Sequence, residues 1–249
     1  MDISNQKSAE KPIAKNLVDA WNRAWRTVPE KMNSSVSLKA LKWSEADLTK
    51  VEQTLDVGCG EYGTSWILGL DDAKRHVINL DLSSVALRSA RKIELQRVKQ
   101  QQEHLKQRKH VKRQKGHKGS ASDHKEFLSE YVQGSATNLP FRNESFDMVT
   151  AFDTIPLLGN AYMYALREMW RVTDNHIIFN VTYKGMARDG FISLDENELA
   201  DMLAAFSSKP TMQTFTLGEI YDQDLSMRIS PGGDKKADIF AMLRKKETL

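Results

Sequence analysis

The stretch that decides the fold is TLDVGCGEYGTS, residues 54–65. A short apolar segment runs into glycines, and two hydroxyl residues at its end can cap a helix predicted over TSWILGL. Gly58 and Gly60 stand at the turn, where a side chain would block the approach of a ligand to backbone N–H groups and to the positive end of the helix. Asp56 precedes them on the strand. The pattern predicts a strand, a glycine turn and a helix that together form a ligand site.

A second apolar stretch, HVINLDLSS, predicts a strand that ends in an acid. This acid, Asp81, follows Asp56 by 25 residues. At this spacing an acid at the end of the second strand can accept hydrogen bonds from both hydroxyls of a ribose. Glycine pairs also occur in ordinary strand–helix turns, so the turn alone decides little. Together with Asp81, it favours a ligand that contains a ribose.

The alternation of strands and helices continues along the chain. Further strands are predicted over EYVQGSA, FDMVTAF, NHIIFNVTY, MQTFTLGEIY and ADIFAMLRKK, with helices over AYMYALREMWRV and LDENELADMLAAF. Strands separated by helices indicate an α/β fold with a doubly wound, mostly parallel sheet, here of seven strands. The glycine-containing connection before the last strand predicts an antiparallel C-terminal edge element. Apolar residues at helical spacing after Pro12 and around Leu38 predict N-terminal cap helices.

Several motifs together resemble one enzyme family. LDVGCG, NLDLS, GSATNLPFRNESFDMVTAF and ALREMWRVTDNHIIFNV are similar, in order and spacing, to the motifs of small stand-alone class I S-adenosylmethionine-dependent methyltransferases. The resemblance covers about residues 53–184 and, more loosely, the C-terminal strands. It implies a Rossmann-like sheet, methyl transfer as the activity and S-adenosyl-L-methionine as the cofactor. It also implies a single methyltransferase domain over residues 1–249, with a flexible tail (1–12), cap helices (13–50) and a core (53–249) that carries a basic insertion (99–122).

The resemblance further implies which residues bind the cofactor. In the family, the glycine turn faces the methionine and ribose parts, and the acid that ends the second strand binds the ribose hydroxyls. Residues after the third strand lie along the adenine, and a residue just past the fourth strand lies near the sulfonium. By position, the expected cofactor-binding residues are Asp56, Gly58, Cys59, Gly60, Glu61, Asp81, Leu82, Ser135, Ala136, Thr137 and Asp153.

Methyl transfer needs few protein groups. The reaction is an in-line displacement on an activated carbon, so the protein aligns the reactants, excludes water and accepts a proton where the nucleophile carries one. Asp153, just past the fourth predicted strand, and Tyr183, at the end of the fifth, are the candidate catalytic residues. The reaction demands no metal, and none is expected.

The chain departs from the family pattern in three places. Position 62 is tyrosine, and the next glycine is Gly63. Ser135 stands where the family usually has an acid before Ala136. The PGG that usually follows the Arg-Val pair of the fifth motif is replaced by residues 173–175. The first two changes could weaken cofactor binding. A non-catalytic, methyltransferase-like scaffold is therefore kept as an alternative.

Charge is distributed unevenly. The chain has 36 Lys and Arg against 33 Asp and Glu, but residues 88–125 hold 13 of the cations and only 3 of the acids. Within the insertion at residues 99–122 there are eight cations, one acid and no aromatic residue. These cations can bind phosphates, so RNA or an acidic partner is expected there, with a solvated insertion as the other interpretation. Gly116 and Gly119 are expected to interrupt any helix.

The acceptor is left open by the sequence. A small molecule is favoured by the compact size and the aromatic N-terminal helices, whereas RNA or a ribonucleoprotein is favoured by the basic insertion. Cys59 is the single cysteine, so no intramolecular disulfide can form and a reducing compartment is expected. No stretch reaches the roughly 18 apolar residues of a membrane span. The expected location is therefore the cytoplasm, or the nucleus in a eukaryote, with no membrane partner.

Overall fold

The computed structural model describes residues 15–27, 48–61, 63, 75–114, 129–184, 192–206, 211–216 and 236–245. These residues form eight strands, which are β1 (Gln53–Val57), β2 (His76–Asp81), β3 (Glu130–Gln133), β4 (Phe146–Ala151), β5 (Thr173–Tyr183), β6 (Ser193–Leu194), β7 (Thr211–Thr216) and β8 (Lys236–Arg244). Seven of them follow the order β3-β2-β1-β4-β5-β8-β7 in one sheet. The predicted seven-stranded, doubly wound sheet is confirmed.

The strands β1 to β5 are parallel, and β8 lies antiparallel between β5 and β7. This antiparallel pair is the predicted C-terminal edge element. The short β6 was not predicted; it pairs in parallel with Thr182 and Tyr183 at the end of β5. Because β1 to β5 run in the same direction, their carboxyl ends share one edge of the sheet. We call this the carboxyl edge and the opposite one the amino edge.

Four helices are described, namely α1 (Lys15–Thr27), α2 (Ser84–Gln114), α3 (Tyr162–Val172) and α4 (Glu196–Leu203), together with 3-10 turns at Leu48–Lys50 and Ile155–Ala161. Helical spacing explains their packing: α3 buries Ala165, Leu166, Met169 and Val172, which recur along one side. None of the described helices is long and apolar enough to cross a membrane.

The core lies on both faces of the central strands. In β5, the run from Ile177 to Val181 is fully buried, as the continuously apolar sequence predicted, and it includes the polar Asn180. Leu55 and Val57 of β1 are equally buried. A polar residue at such a position needs a hydrogen-bond partner, and its partner lies at the carboxyl edge.

The sequence after HVINLDLSS predicts a helix with an apolar stripe at Ala86, Ala90, Ile93 and Val98, and helix α2 is longer than this stripe predicts. It contains 31 residues and continues through Gln114, so residues 99–114 of the predicted insertion are helical. At 1.5 Å per residue it is about 46 Å long, whereas the six residues of β2 span about 20 Å. It starts at the carboxyl edge and therefore extends beyond the amino edge. Beyond Val98 every described side chain of α2 is exposed except the half-buried Gln102.

Other predictions fall outside the described residues. These are the tail (1–12), the second cap helix around Leu38, the helix over TSWILGL, the end of the insertion (115–122) and the second half of MQTFTLGEIY. Within the described part, β3 ends at Gln133, so the predicted strand EYVQGSA gives way to a turn at residue 134.

Candidate functional site at the carboxyl edge

The glycine turn, Gly58 to Glu61, follows β1 directly. Gly58 and Gly60 have φ angles of 71° and 55°, which L side chains rarely adopt. A Cβ on Gly58 would lie 2.6 Å from Cγ2 of Thr154 and closer still to its Oγ1. The N–H groups of Gly58 and Cys59 both donate to the carbonyl of Leu80, at 2.7 and 3.1 Å. The turn is therefore held tightly between the ends of β2 and β4.

Asp81 ends β2 beside this turn. Its carboxylate accepts hydrogen bonds from the N–H of Gly60 at 3.0 Å and of Ser83 at 2.7 Å. Burial raises the pKa of Asp81, and these N–H donors oppose that rise. A carboxylate has about four lone-pair positions, so acceptor capacity remains for the hydroxyls of a ligand. The next residue, Leu82, is partly exposed, and its carbonyl accepts from the Gln133 side chain at 3.1 Å.

Asp56 lies buried under the turn. It accepts a hydrogen bond of 2.7 Å from the hydroxyl of Thr150. Gly63 also lies close to Asp56. A Cβ at position 63 would be 2.7 Å from both Asp56 Oδ2 and Asn79 Oδ1. This close approach requires glycine at position 63, which accounts for one departure from the family pattern. Asn79 is buried, and its Oδ1 has no hydrogen-bond partner among the described residues.

The two remaining side chains of the glycine turn are buried. Desolvation, followed by the charges of Asp81 and Asp56, raises the pKa of the Cys59 thiol well above its usual range. The thiol therefore stays protonated and contributes packing rather than nucleophilic chemistry. Glu61 is also buried.

The turn after β3 is held by its own hydroxyls. Ser135 Oγ lies 2.8 Å from Thr137 Oγ1 and accepts from the Thr137 N–H at 3.2 Å. Ala136 between them is buried. The N–H of Gly134 donates to the carbonyl of Asp81 at 3.0 Å, which ties this turn to the end of β2. The serine that replaces the expected acid thus shapes the turn.

Asp153 follows β4 with φ of 53°, a left-handed conformation that is uncommon for a residue other than glycine. Its N–H donates to Asn180 Oδ1 at 2.7 Å, and Asn180 Nδ2 donates back to Asp153 Oδ1 at 2.8 Å. The residue has exposed surface, yet the surrounding protein desolvates the carboxyl and raises its pKa, which the Asn180 hydrogen bond partly offsets. Asn180 thus holds the Asp153 carboxyl at the carboxyl edge.

Sequence reasoning missed Asn180 and Thr154. The hydroxyl of Thr154 lies 3.0 Å from the carbonyl of Val57 and so connects β4 to β1. The signal for Asn180 was a single amide in an otherwise apolar buried strand. Tyr183, the other candidate catalytic residue, lies three residues beyond Asn180, half-buried at the end of β5 where β6 pairs.

Helix α1 reaches the same edge. Asn22 Oδ1 accepts hydrogen bonds from the hydroxyl of Ser83 at 2.8 Å and from the N–H of Val85 at 3.3 Å. Ser83 in turn caps α2, because its hydroxyl accepts from the N–H of Ala86 at 3.2 Å. The first N-terminal helix is thereby positioned two residues from Asp81.

A cavity of about 460 Å³ lies at the amino edge, away from these residues. Its lining residues are Asn143, Glu144, Arg167, Trp170, Arg171, Phe206 and Lys245. Lys245 donates to the carbonyls of Trp170 and Thr173 and forms an ion pair with Glu144. Two of the lining side chains are thus engaged with each other, and the cavity shares no residue with the carboxyl edge.

Comparison with known proteins gives the family. The model of the methyltransferase domain family matches residues 55–178, about half of the chain, which includes β1, β2, β3, β4 and the start of β5. A search of curated protein sequences finds no significant match.

Solved structures share the fold at low sequence identity. A magnesium protoporphyrin IX methyltransferase from Synechocystis PCC 6803 with bound S-adenosylmethionine matches 92% of this chain and 95% of its own, with TM-score 0.55 and 13% identity. The cyclase SpnF covers 92% and 93%, with TM-score 0.57 and 15% identity. A possible histamine N-methyltransferase from Thermotoga maritima covers 93% and 95%, with TM-score 0.51 and 17% identity.

These matches agree with the fold described above. The domain model covers the glycine turn, Asp81, the turn after β3 and Asp153, all of which lie at the carboxyl edge. The chain therefore belongs to the class I S-adenosylmethionine-dependent methyltransferases.

Proposed function

We propose that the protein transfers the methyl group of S-adenosyl-L-methionine to a small-molecule acceptor that lies over the ends of β4 and β5. The observation that carries this proposal is the carboxyl edge itself. There, Asp81 keeps free acceptor positions beside the glycine turn, and Asn180 holds the exposed Asp153 at the same edge. Open α/β sheets bind ligands at this edge.

The residues present fit the cofactor. Asp81 would accept the two ribose hydroxyls, and the backbone from Gly58 to Glu61 would face the methionine part. Ala136 and Thr137 would lie along the adenine edge, where Ser135 offers a neutral hydroxyl instead of a carboxylate. Asn79 supports this assignment, because its buried Oδ1 lies close to Gly63, two residues past the glycine turn, and lacks a described partner.

When bound, S-adenosyl-L-methionine supplies a methyl group already activated by a positively charged sulfur. The protein must then align the acceptor and receive its proton. Asp153 suits this role, because Asn180 occupies its Oδ1 while Oδ2 makes no hydrogen bond to a described residue. Desolvation makes the carboxylate a stronger base than a solvated aspartate. Tyr183, half-buried at the end of β5, would lie on the acceptor side of the site.

Calorimetric titration with S-adenosylhomocysteine tests the cofactor site. We expect micromolar binding that is lost in Asp81→Ala and retained in Asp201→Ala, which removes an exposed acid of α4. Equal loss in both variants, or no binding by the unaltered protein, would contradict the proposed site. The second result would identify a scaffold.

A labelled-methyl transfer screen against fractionated cell extract tests the acceptor. Label is expected in the metabolite fraction and not in the RNA, protein or lipid fractions. In Asp153→Asn, label transfer should fall at least tenfold while S-adenosylhomocysteine binding is unchanged, since the carboxamide cannot accept the proton. Label that appears only in RNA would replace the small molecule by an RNA acceptor, the second candidate, which the cationic helix α2 favours.

A further inference from the structure

Helix α2 carries ten Lys and Arg residues but only two acids. One of the acids, Glu94, is buried and accepts hydrogen bonds from the N–H and hydroxyl of Ser129, at 3.1 and 2.6 Å. Glu103 is thus the one acid of the helix that faces solvent. Among the charged side chains of α2 that are described as exposed, five are cations and one is an acid.

The cations of α2 are arranged along one side of the helix. At 100° per residue, seven of them fall within an arc of about 100°. They form what we call the basic stripe: Arg88, Arg91, Lys92, Lys99, Lys106, Lys109 and Arg113. The buried residues Ala86, Leu87 and Ala90 lie on the other side, against the sheet. The stripe therefore runs along α2 for about 38 Å, from close to the carboxyl edge to beyond the amino edge, and its five described side chains face solvent.

The described side chains of the stripe are available to a partner. Arg88, Arg91, Lys92, Lys99 and Lys106 are all exposed. No salt bridge joins any of the five to a carboxylate within the described part of the chain. Five like charges along one row repel one another, and a polyanion placed along the row would relieve that repulsion.

From this arrangement we propose that the basic stripe binds the phosphate backbone of a nucleic acid. A membrane surface would require an apolar face beside the cations, and Leu95 is the one large apolar side chain among those of α2 that the structure describes as exposed. A partner helix would require apolar residues on the side where the stripe places Lys and Arg, mostly at intervals of three, four and seven residues. Aromatic residues that stack on unpaired bases do not occur in α2. The mode of binding that remains is pairing of these cations with regularly spaced phosphates, which is independent of base sequence.

The expected salt dependence follows from the number of cations. Five to seven phosphate contacts give a slope of log K against log salt of about −5 to −6 on a duplex, or about a 10³-fold loss of affinity between 50 and 200 mM salt. This binding does not depend on the cofactor or on methyl transfer. It can therefore be measured, and can fail, separately from the proposed function.

The test measures binding of the full chain to a fluorescent 24-base-pair RNA duplex by anisotropy at several salt concentrations. In Lys92→Gln/Lys99→Gln/Lys106→Gln, three contacts are lost, so the slope should become shallower by about 2 to 3 and affinity at 100 mM salt should fall about 10²-fold. Glutamine has a helix propensity close to that of lysine, so α2 should persist, as circular dichroism would verify.

Two control variants isolate the stripe. Arg142→Gln/Arg167→Gln/Arg244→Gln removes the same charge from exposed positions elsewhere and should leave the slope unchanged. Lys92→Arg/Lys99→Arg/Lys106→Arg keeps the charge and should retain binding. An equal loss in the first control would overturn the proposal, because net charge alone would then explain the affinity.

Competition distinguishes the nucleic acid from other polyanions. We expect duplex RNA to be displaced by unlabelled duplex but not by polyglutamate of equal charge or by vesicles with 30% anionic lipid. Displacement by polyglutamate at equal concentration would indicate an acidic protein partner. Displacement by the vesicles would indicate a membrane surface. Either result, or no RNA binding at 50 mM salt, would refute the proposal.

Discussion

Replacing Gly58 by alanine tests how the glycine turn is held. The residue has φ of 71°, and a left-handed conformation costs an L residue about 1–2 kcal/mol. The new Cβ would also lie 2.6 Å from Thr154 Cγ2 and 2.9 Å from its Cβ, so Thr154 or the turn must move. Movement of Thr154 breaks the contact of its hydroxyl with the Val57 carbonyl, worth about 1 kcal/mol. The expected loss of stability is about 2–4 kcal/mol.

A second substitution separates the two costs. Thr154→Ala removes the Oγ1 and Cγ2 atoms that would crowd the new Cβ and should by itself cost about 1–2 kcal/mol. In that background, Gly58→Ala should cost little more than its backbone strain. The double variant is therefore expected to be about 1–2 kcal/mol more stable than the sum of the single changes predicts.

Urea unfolding gives these free energies, and S-adenosylhomocysteine titration gives the functional consequence. Gly58→Ala should weaken binding at least tenfold, and Thr154→Ala should restore part of it. The matched control is Gly159→Ala, since Gly159 also has positive φ but no atom lies within 4 Å of its would-be Cβ. The loss of stability caused by Gly159→Ala should be the same with and without Thr154→Ala. Additivity of Gly58→Ala and Thr154→Ala within about 0.5 kcal/mol would refute the steric argument.

Three further predictions concern charged groups and a cap. Burial raises the pKa of Asp81, and the ribose hydroxyls would donate to its ionised form. The affinity for S-adenosylhomocysteine should therefore fall as pH decreases through that raised pKa, whereas Asp81→Asn should bind weakly at every pH. For the ligand-free protein, stability should change with pH in the opposite direction, because the folded state holds the Asp81 proton more tightly than the unfolded chain does. The free energy of unfolding in urea should therefore decrease as pH rises from about 4 through the raised pKa, and it should decrease less in Asp81→Asn. Asn180→Asp would place a carboxylate where Nδ2 now donates at 2.8 Å to Asp153, and this second negative charge should raise the pKa of Asp153. The acidic limb of the pH profile of turnover should then shift to higher pH; an unshifted limb would exclude Asp153 as the proton acceptor. Asp195→Ala should cost about 1 kcal/mol in urea unfolding, because Asp195 caps α4 by accepting from the N–H groups of Asn197 and Glu198; an unchanged midpoint would contradict that role.

The strands were predictable because the local amino-acid composition of each one indicates that it is buried. The apolar runs ending at Val57 and Asp81 are short and followed by turn residues, and each became a strand of the expected length. The glycine turn was predictable for the same reason, since a positive φ selects glycine at Gly58 and Gly60. Both signals lie within a few residues of the feature that they predict.

The length of α2 was not predicted because an apolar stripe was taken as the sign that a helix continues. The stripe ends at Val98, whereas the helix ends at Gln114, two residues before Gly116. Lys, Arg, Gln and Glu all have high helix propensity, and they make up most of this extension. A helix already nucleated on the sheet can propagate through such residues without further burial. The glycines were therefore the better signal for its end.

The catalytic part of the site depends on contacts that no local pattern contains. Asp153 and Asn180 are 27 residues apart, and Thr154 and Val57 are 97 apart, so their pairing exists only once β4 lies between β1 and β5 in register. Residues 173–175, which replace PGG, form the start of β5, where Thr173 pairs with Phe146. The register shifts between Phe146 and Met148, and the pairs from Met148–His176 to Ala151–Phe179 then bring Asn180 beside Asp153. A slip of one residue would turn Asn180 to the other face of the sheet. The left-handed conformation of Asp153 would then lose the amide that supports it, and the carboxyl edge would lack its proposed base.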